Sequence, residues 1–136
     1  MRTCYRLNNL SYKRYKFGGI VVTYNKISYV LVLGGVVGSS GGVDYRDDCY
    51  MSKDGYQFMS CKKTSTFGKK HSFSVDLYNG YVYVTGGYML GVNNAPTATS
   101  DIYQGTIKCA TTCYSPYIEW ATVTIPGLVL FDLSAL

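Results

Sequence analysis

Charge and helical periodicity are both scarce in this sequence. Charged residues fill 15% of its 136 positions and hydrophobic ones 47%, a balance that excludes a disordered chain and suits one domain with a sizeable core. No apolar run approaches the roughly 20 residues that a membrane-spanning helix needs. No window repeats apolar residues at helical spacing for three turns, so the chain reads as all-β. Histidine occurs once, as His71, and there is no CxxC pair, which leaves no zinc ligand set at the usual spacings. Neither a metal nor a cofactor is expected. The glycines of residues 38–42 lack the lysine and helix of a phosphate-binding loop. The basic residues 1–7 have no apolar stretch behind them of the kind a signal peptide carries, so the sequence assigns no compartment.

What is abundant is tyrosine and glycine, 15 of each against 3 prolines, which suits short strands joined by tight turns. The net charge of +5 is unevenly spread, because Arg2, Arg6, Lys13, Arg14, Lys16 and Lys26 all precede the first acid, Asp44. Such a stretch reads as a solvated basic arm, with a surface for anionic partners as the other reading. Tyr5, Tyr12 and Tyr15 interleave with these bases in a way that suits stacking on single-stranded nucleic acid. No RNP, KH, zinc-knuckle or finger pattern accompanies them, so a nucleic-acid partner is disfavoured.

One stretch occurs twice. Tyr29-Val30-Leu31-Val32-Leu33-Gly34-Gly35 returns as Tyr81-Val82-Tyr83-Val84-Thr85-Gly86-Gly87, 52 residues later. Each run is expected to be a strand that stops at its glycines, and the spacing points to a repeat architecture. The same order surrounds each copy. A first strand (residues 20–24, then 70–77) leads through a turn (Asn25-Lys26, then Asn79-Gly80) into the run. A loop follows, residues 36–43 and then 88–100. Asp48-Cys49-Tyr50 and Asp101-Ile102-Tyr103 open a third strand, and an aromatic strand carrying Phe58 or Trp120 closes the unit. Ser52-Lys53-Asp54-Gly55 is expected as a tight hairpin turn, with the aromatic strand at residues 56–61.

This order resembles the Kelch repeat, each copy of which forms one four-stranded blade of a β-propeller. Ser52-Lys53-Asp54-Gly55-Tyr56-Gln57-Phe58 is also similar to a shortened Asp-box, a structural turn motif of propellers whose Asp accepts backbone N–H bonds. On this resemblance residues 1–13 are a basic N-terminal arm, 14–66 one blade, 67–125 a second blade, and 126–136 the first strand of an incomplete third. Gly34, Gly35, Gly86, Gly87, Asp48, Asp101, Tyr50, Tyr103 and Trp120 are the structural positions it implies. Two blades leave two apolar faces open, so the chain is expected to be a piece of a longer propeller protein, or to need self-association. A small β-sandwich made of the two sheets is the alternative fold.

The five cysteines leave at least one thiol unpaired, with Cys4 the candidate. Cys49 and Cys61 sit at near-mirror positions about Asp54-Gly55, so a hairpin would oppose them, and a disulfide there is expected at a non-hydrogen-bonded pair. Two reduced core cysteines are the other reading. Cys109 and Cys113 are candidates for a loop disulfide.

No catalytic set emerges. Asp47 and Asp48 are adjacent, so on a strand they point to opposite faces and cannot pair. Copper-dependent Kelch-type oxidases need histidines beyond His71, and sialidases need an arginine cluster where this chain has only Arg2, Arg6, Arg14 and Arg46. No enzyme is expected. The resemblance implies instead a non-catalytic interaction module, binding a protein partner foremost and a glycan second. Its corresponding loops, 36–46 and 88–100, would lie side by side on one rim, with Tyr45, Arg46, Tyr88, Met89, Asn93 and Asn94 as contact residues. The other reading is a fragment of a carbohydrate-active propeller enzyme whose site lies in further blades.

Overall fold

The computed structural model describes residues 13–39, 42–63, 66–91, 93, 95–110 and 115–123. Among them the fold is all-β and antiparallel. The first sheet contains β1 (Arg14–Tyr15), β2 (Gly18–Tyr24), β3 (Ile27–Ser39), β4 (Gly42–Ser52) and β5 (Met59–Ser60). Strands β2 to β5 follow one another as a meander, and β1 lies along the far half of β3. The second sheet is a meander of β6 (Ser74–Tyr78), β7 (Tyr81–Thr85), β10 (Ile102–Lys108) and β11 (Tyr117–Thr122). Between β7 and β10 the chain makes a separate hairpin, β8 (Tyr88–Leu90) with β9 (Pro96–Ala98). The arm through residue 12 and the strand expected from residue 126 lie outside the described residues.

Both meanders open with the turns read from sequence. Asn25 and Lys26 have φ of 49° and 64°, Asn79 and Gly80 of 51° and 81°. Two consecutive left-handed residues twist a two-residue turn to match the twist of its strands.

The first glycine doublet does not stop its strand. Gly34 and Gly35, at φ +54° and +95°, form a bulge inside β3, and pairing continues to Ser39 opposite Gly42. The cause lies just beyond, where the buried Val36 and Val37 continue an apolar strand. Residues 36–43, expected as a loop, are therefore largely the two arms of a hairpin. The second doublet does end its strand at Thr85, and β8 begins immediately after it. A Cβ on Gly35 would meet the Tyr15 carbonyl oxygen and Phe17 Cβ at 2.8 Å, and one on Gly87 the His71 carbonyl oxygen at 2.7 Å. In both copies, then, the second glycine lets the preceding segment cross closely.

Four further expectations are corrected. The turn after β4 is not a tight Asp-Gly hairpin, since Met51 pairs with Met59 and the chain between them is a wide loop. The aromatic strand at residues 56–61 shrinks accordingly to Met59–Ser60. The first strand of the second unit begins at Ser74, not at residue 70, because Ser72 at φ +56° breaks the extended run. Residues 88–100, read as a loop, contain the β8–β9 hairpin.

The two sheets pack face to face around one core. The first contributes Val22, Tyr29, Leu31, Leu33, Cys49 and Met51, the second Val82, Val84, Ile118 and Trp120, with Phe67 between them. Phe67 meets Trp120 edge-on at 5.1 Å between ring centroids. Register makes Val30 and Val32 the counterparts of Val82 and Val84. Side chains alternate along a strand, so β3 and β7 meet through opposite faces. The first sheet presents Tyr29, Leu31 and Leu33, and the second presents the counterparts of Val30 and Val32.

Candidate functional site

The hairpins β3–β4 and β8–β9 reach the same end of the molecule and meet at His71. The His71 ring lies edge-on to Tyr45 at 4.7 Å and stacks near-parallel on Tyr88 at 5.6 Å. Its backbone pairs with Tyr88 in both directions, His71 N–H to Tyr88 C=O at 3.1 Å and Tyr88 N–H to His71 C=O at 2.9 Å. Nδ1 shares a 2.8 Å hydrogen bond with the Ser72 hydroxyl. Burial pushes the His71 pKa below its ordinary value, and the positive charge of Lys16 pushes it the same way. The ring is held between two tyrosines, and among the described residues no carboxylate hydrogen-bonds it.

The expected contact residues divide. Tyr88 is 37% exposed, while Tyr45 is 5% exposed with its ring against His71, so Tyr45 supports the rim from below and is not a surface contact. Arg46 is engaged on its own strand, donating to Asp44 at 3.0 Å and to Asp48 at 3.2 Å. Met89 is half-buried, and Asn93 is exposed at φ +60°. Asn94 lies outside the described residues. The apolar side chains the rim does expose include Val43 and Leu90, which sequence reading passed over. Their signal is alternation within runs that composition reads as loops.

A buried cation sits beneath each copy, a feature the sequence reading missed. Arg14 clasps Asp48 through both terminal guanidinium nitrogens, donates to the Gly34 carbonyl at 3.0 Å and lies over Tyr50 at 5.4 Å. Lys70 occupies the matching place in the second copy, with Nζ 4.8 Å above the centre of Tyr103. Its side chain is fully buried and Nζ makes no hydrogen bond. Burial lowers the Lys70 pKa, and the charge of Asp101 opposes that shift only in part. The available signal was Arg14-Tyr15-Lys16-Phe17 against Lys70-His71-Ser72-Phe73. Lys16 and Ser72 are both left-handed, and Ser72 N–H donates to the Lys16 carbonyl at 3.0 Å.

The Asp54 turn is built as a cap. Asp54 Oδ1 accepts from Tyr56 N–H at 2.8 Å and Gln57 N–H at 2.9 Å, and from the Ser52 hydroxyl at 3.0 Å. The Gln57 donor first, then the Tyr56 donor, holds the carboxyl below its usual range. Phe58 is buried beneath. Cys49 and Cys61 form a disulfide with Cα atoms 5.0 Å apart, and the expected non-hydrogen-bonded pairing is corrected, since Cys61 N–H donates to Cys49 C=O at 2.8 Å. Cys109 is also disulfide-bonded, while Cys4 and Cys113 lie outside the described residues. Asp47 and Asp48 do diverge, Asp47 to Lys62 at 3.0 Å and Asp48 to Arg14 and Arg46.

A concavity of about 270 Å³ opens between β2 and the β6–β7 turn, lined by Val21, Thr23, Leu77, Tyr78, Asn79 and Ile107 among others. None of its lining residues is an acid or a base that could do acid–base work at neutral pH. Among the described residues no group of His, Cys, Asp and Glu could hold a metal ion, and no helix is long and apolar enough to cross a membrane. Comparison with known proteins finds no matching family and no matching curated protein.

Proposed function

We propose that the chain is a pair of Kelch-like propeller blades and works as a non-catalytic module, binding a protein or glycan partner through the hairpins of one rim. The observation that carries the blade reading is the packing of opposite faces. Two sheets related by a dyad, as in a symmetric sandwich, would bring like faces together, whereas units repeated by rotation about an axis bring unlike faces together. Meander order, matching register and the doubled Asp-x-Tyr strand support the same reading. The non-catalytic part is supported by His71, whose ring is held between Tyr45 and Tyr88 with no carboxylate partner among the described residues, and by Asp54 and Asp48, committed to a turn and an ion pair.

The test places a photo-crosslinking amino acid at Leu90 on the rim, or at Thr106 on the outer face of the second sheet. The rim position is expected to yield discrete adducts with one partner or glycoconjugate. Adducts from Thr106 to the same partner, equal to those from Leu90, would sink the rim assignment; adducts between copies of the chain itself count for neither position.

A further inference from the structure

The first sheet repeats, on a face that leaves Val21 and Val30 exposed, the face that the second sheet uses to build the core. In the second sheet Leu77, Val82, Val84, Tyr103 and Trp120 share the face that receives the first sheet, and both valines are fully buried there. Register assigns their counterparts as Val21, Val30, Val32, Tyr50 and Phe58. Apolar or aromatic side chains recur at every one of these positions; Val30 is 39% exposed where Val82 is fully buried, Val21 is 57% exposed against 44% for Leu77, and Val32 and Phe58 are buried. Val30 and Val32 stand outside the core cluster that the two sheets form together. A strand position with no core to fill has no reason of its own to carry these side chains.

The opposite end of the molecule offers the matching face. The surface that the first sheet inserts into the core is built on Tyr29, Leu31, Leu33, Cys49 and Met51. Its counterpart on the second sheet is Tyr81, Tyr83, Thr85, Ile102 and Gln104, facing outward, with the Tyr83 hydroxyl accepting from Gln104 at 2.9 Å. Tyrosine replaces leucine and glutamine replaces methionine, so this face tolerates water in the free chain while keeping aromatic area for contact.

We infer that copies of this chain associate head to tail, the Val21–Val30 face of one copy receiving the Tyr81–Tyr83 face of the next, by the same operation that relates the two sheets within a copy. The contact is heterologous, so it closes into a ring if the rotation closes and otherwise extends as a filament. It uses sheet faces and leaves the rim hairpins clear, so it stands or falls separately from the rim assignment, although it shares the repeat equivalence.

Sedimentation velocity over a hundredfold range of concentration tests this. The chain is expected to self-associate, and Val30→Lys and Tyr81→Lys are each expected to weaken association at least tenfold while far-UV circular dichroism stays unchanged. Mixing the two variants is the decisive arm, because each retains the one face the other lacks. The mixture should form a dimer and nothing larger, which no like-face contact would produce. Val21→Lys repeats the test on the same face should Val30→Lys misfold. A wild-type chain that stays monomeric throughout, association unaffected by these substitutions, or variants that fail to pair would each overturn the inference. Rim cross-linking from Leu90 would be untouched by any of those results.

Discussion

Beneath the diglycine of the first copy the buried cation is Arg14, and beneath that of the second it is Lys70. The surroundings correspond closely, with Asp48 and Tyr50 in one, Asp101 and Tyr103 in the other. Arginine reaches its aspartate with a planar fork and satisfies a third acceptor, the Gly34 carbonyl. Lysine, a compact point charge, leaves Nζ over an aromatic face with no hydrogen bond. Asp101, unlike buried Asp48, turns to the surface and accepts from the Thr99 hydroxyl at 2.8 Å. The same repeat frame is therefore stabilised by an ion pair in one sheet and held by packing in the other.

The largest effect should come from breaking the stronger version. Arg14→Met leaves Asp48 buried with only the lateral contact of Arg46, and removing one member of a buried pair costs about 3–5 kcal/mol. Urea denaturation should show that loss at constant m-value. A loss below about 1 kcal/mol would mean that Arg14 and Lys70 are equivalent after all.

Next comes the disulfide, which only the first sheet has at this place. Val123 N–H donates to Ile102 C=O at 2.8 Å where Cys61 donates to Cys49, so the backbone contact is common and the covalent bond is an addition. The double variant Cys49→Ala, Cys61→Ala should lose about 2–4 kcal/mol. Thermal melts should show the variant insensitive to dithiothreitol, apart from any effect at Cys109. A melt unchanged from wild type would place the stability of this edge in the Asp54 cap instead.

How far the sequence told these stories apart depends on the range of the interactions involved. Strand order, the two Asn turns and the Cys49–Cys61 opposition were legible because each follows from alternation or from a few neighbouring residues. The passage of β3 through Gly34-Gly35 was not, since glycine permits a bulge as readily as a stop and the decision lay with Val36 and Val37 beyond it. The placing of Tyr45 under His71 and of Arg14 on Asp48 depends on chain crossings that no local pattern encodes. The Arg14–Phe17 and Lys70–Phe73 match was present but short, and only the shared left-handed residue at Lys16 and Ser72 makes it visible.

The glycine doublets sharpen the comparison at smaller amplitude. Gly35→Ala forces a Cβ against the backbone at residues 15–17 at a positive φ, which should cost about 2–3 kcal/mol. At Gly86 the nearest atom to an added Cβ is the Thr99 carbonyl oxygen at 3.5 Å, so Gly86→Ala should lose only the left-handed penalty of about 1 kcal/mol. Equal losses at the two sites would show that backbone conformation, not the crossing chain, sets the requirement.

The smallest and most discriminating change is Lys70→Met. Methionine fills the same apolar space without an unpaired amine, so stability near neutral pH should rise by roughly 1 kcal/mol or less. The pH dependence carries the sharper signature. The Lys70 pKa in the folded protein lies below its ordinary 10.5, so the unfolded chain binds that proton more readily. Stability attributable to this site is therefore fully present above about pH 10.5, declines as pH falls toward the folded pKa, and is level below it. Lys70→Met should remove that slope, and Arg14→Met should not, because an arginine stays charged throughout the window. Denaturation series from pH 7 to 11 on the three proteins would decide it: a slope that survives in Lys70→Met means that a group other than Lys70 carries it and that the two cations are not different in kind.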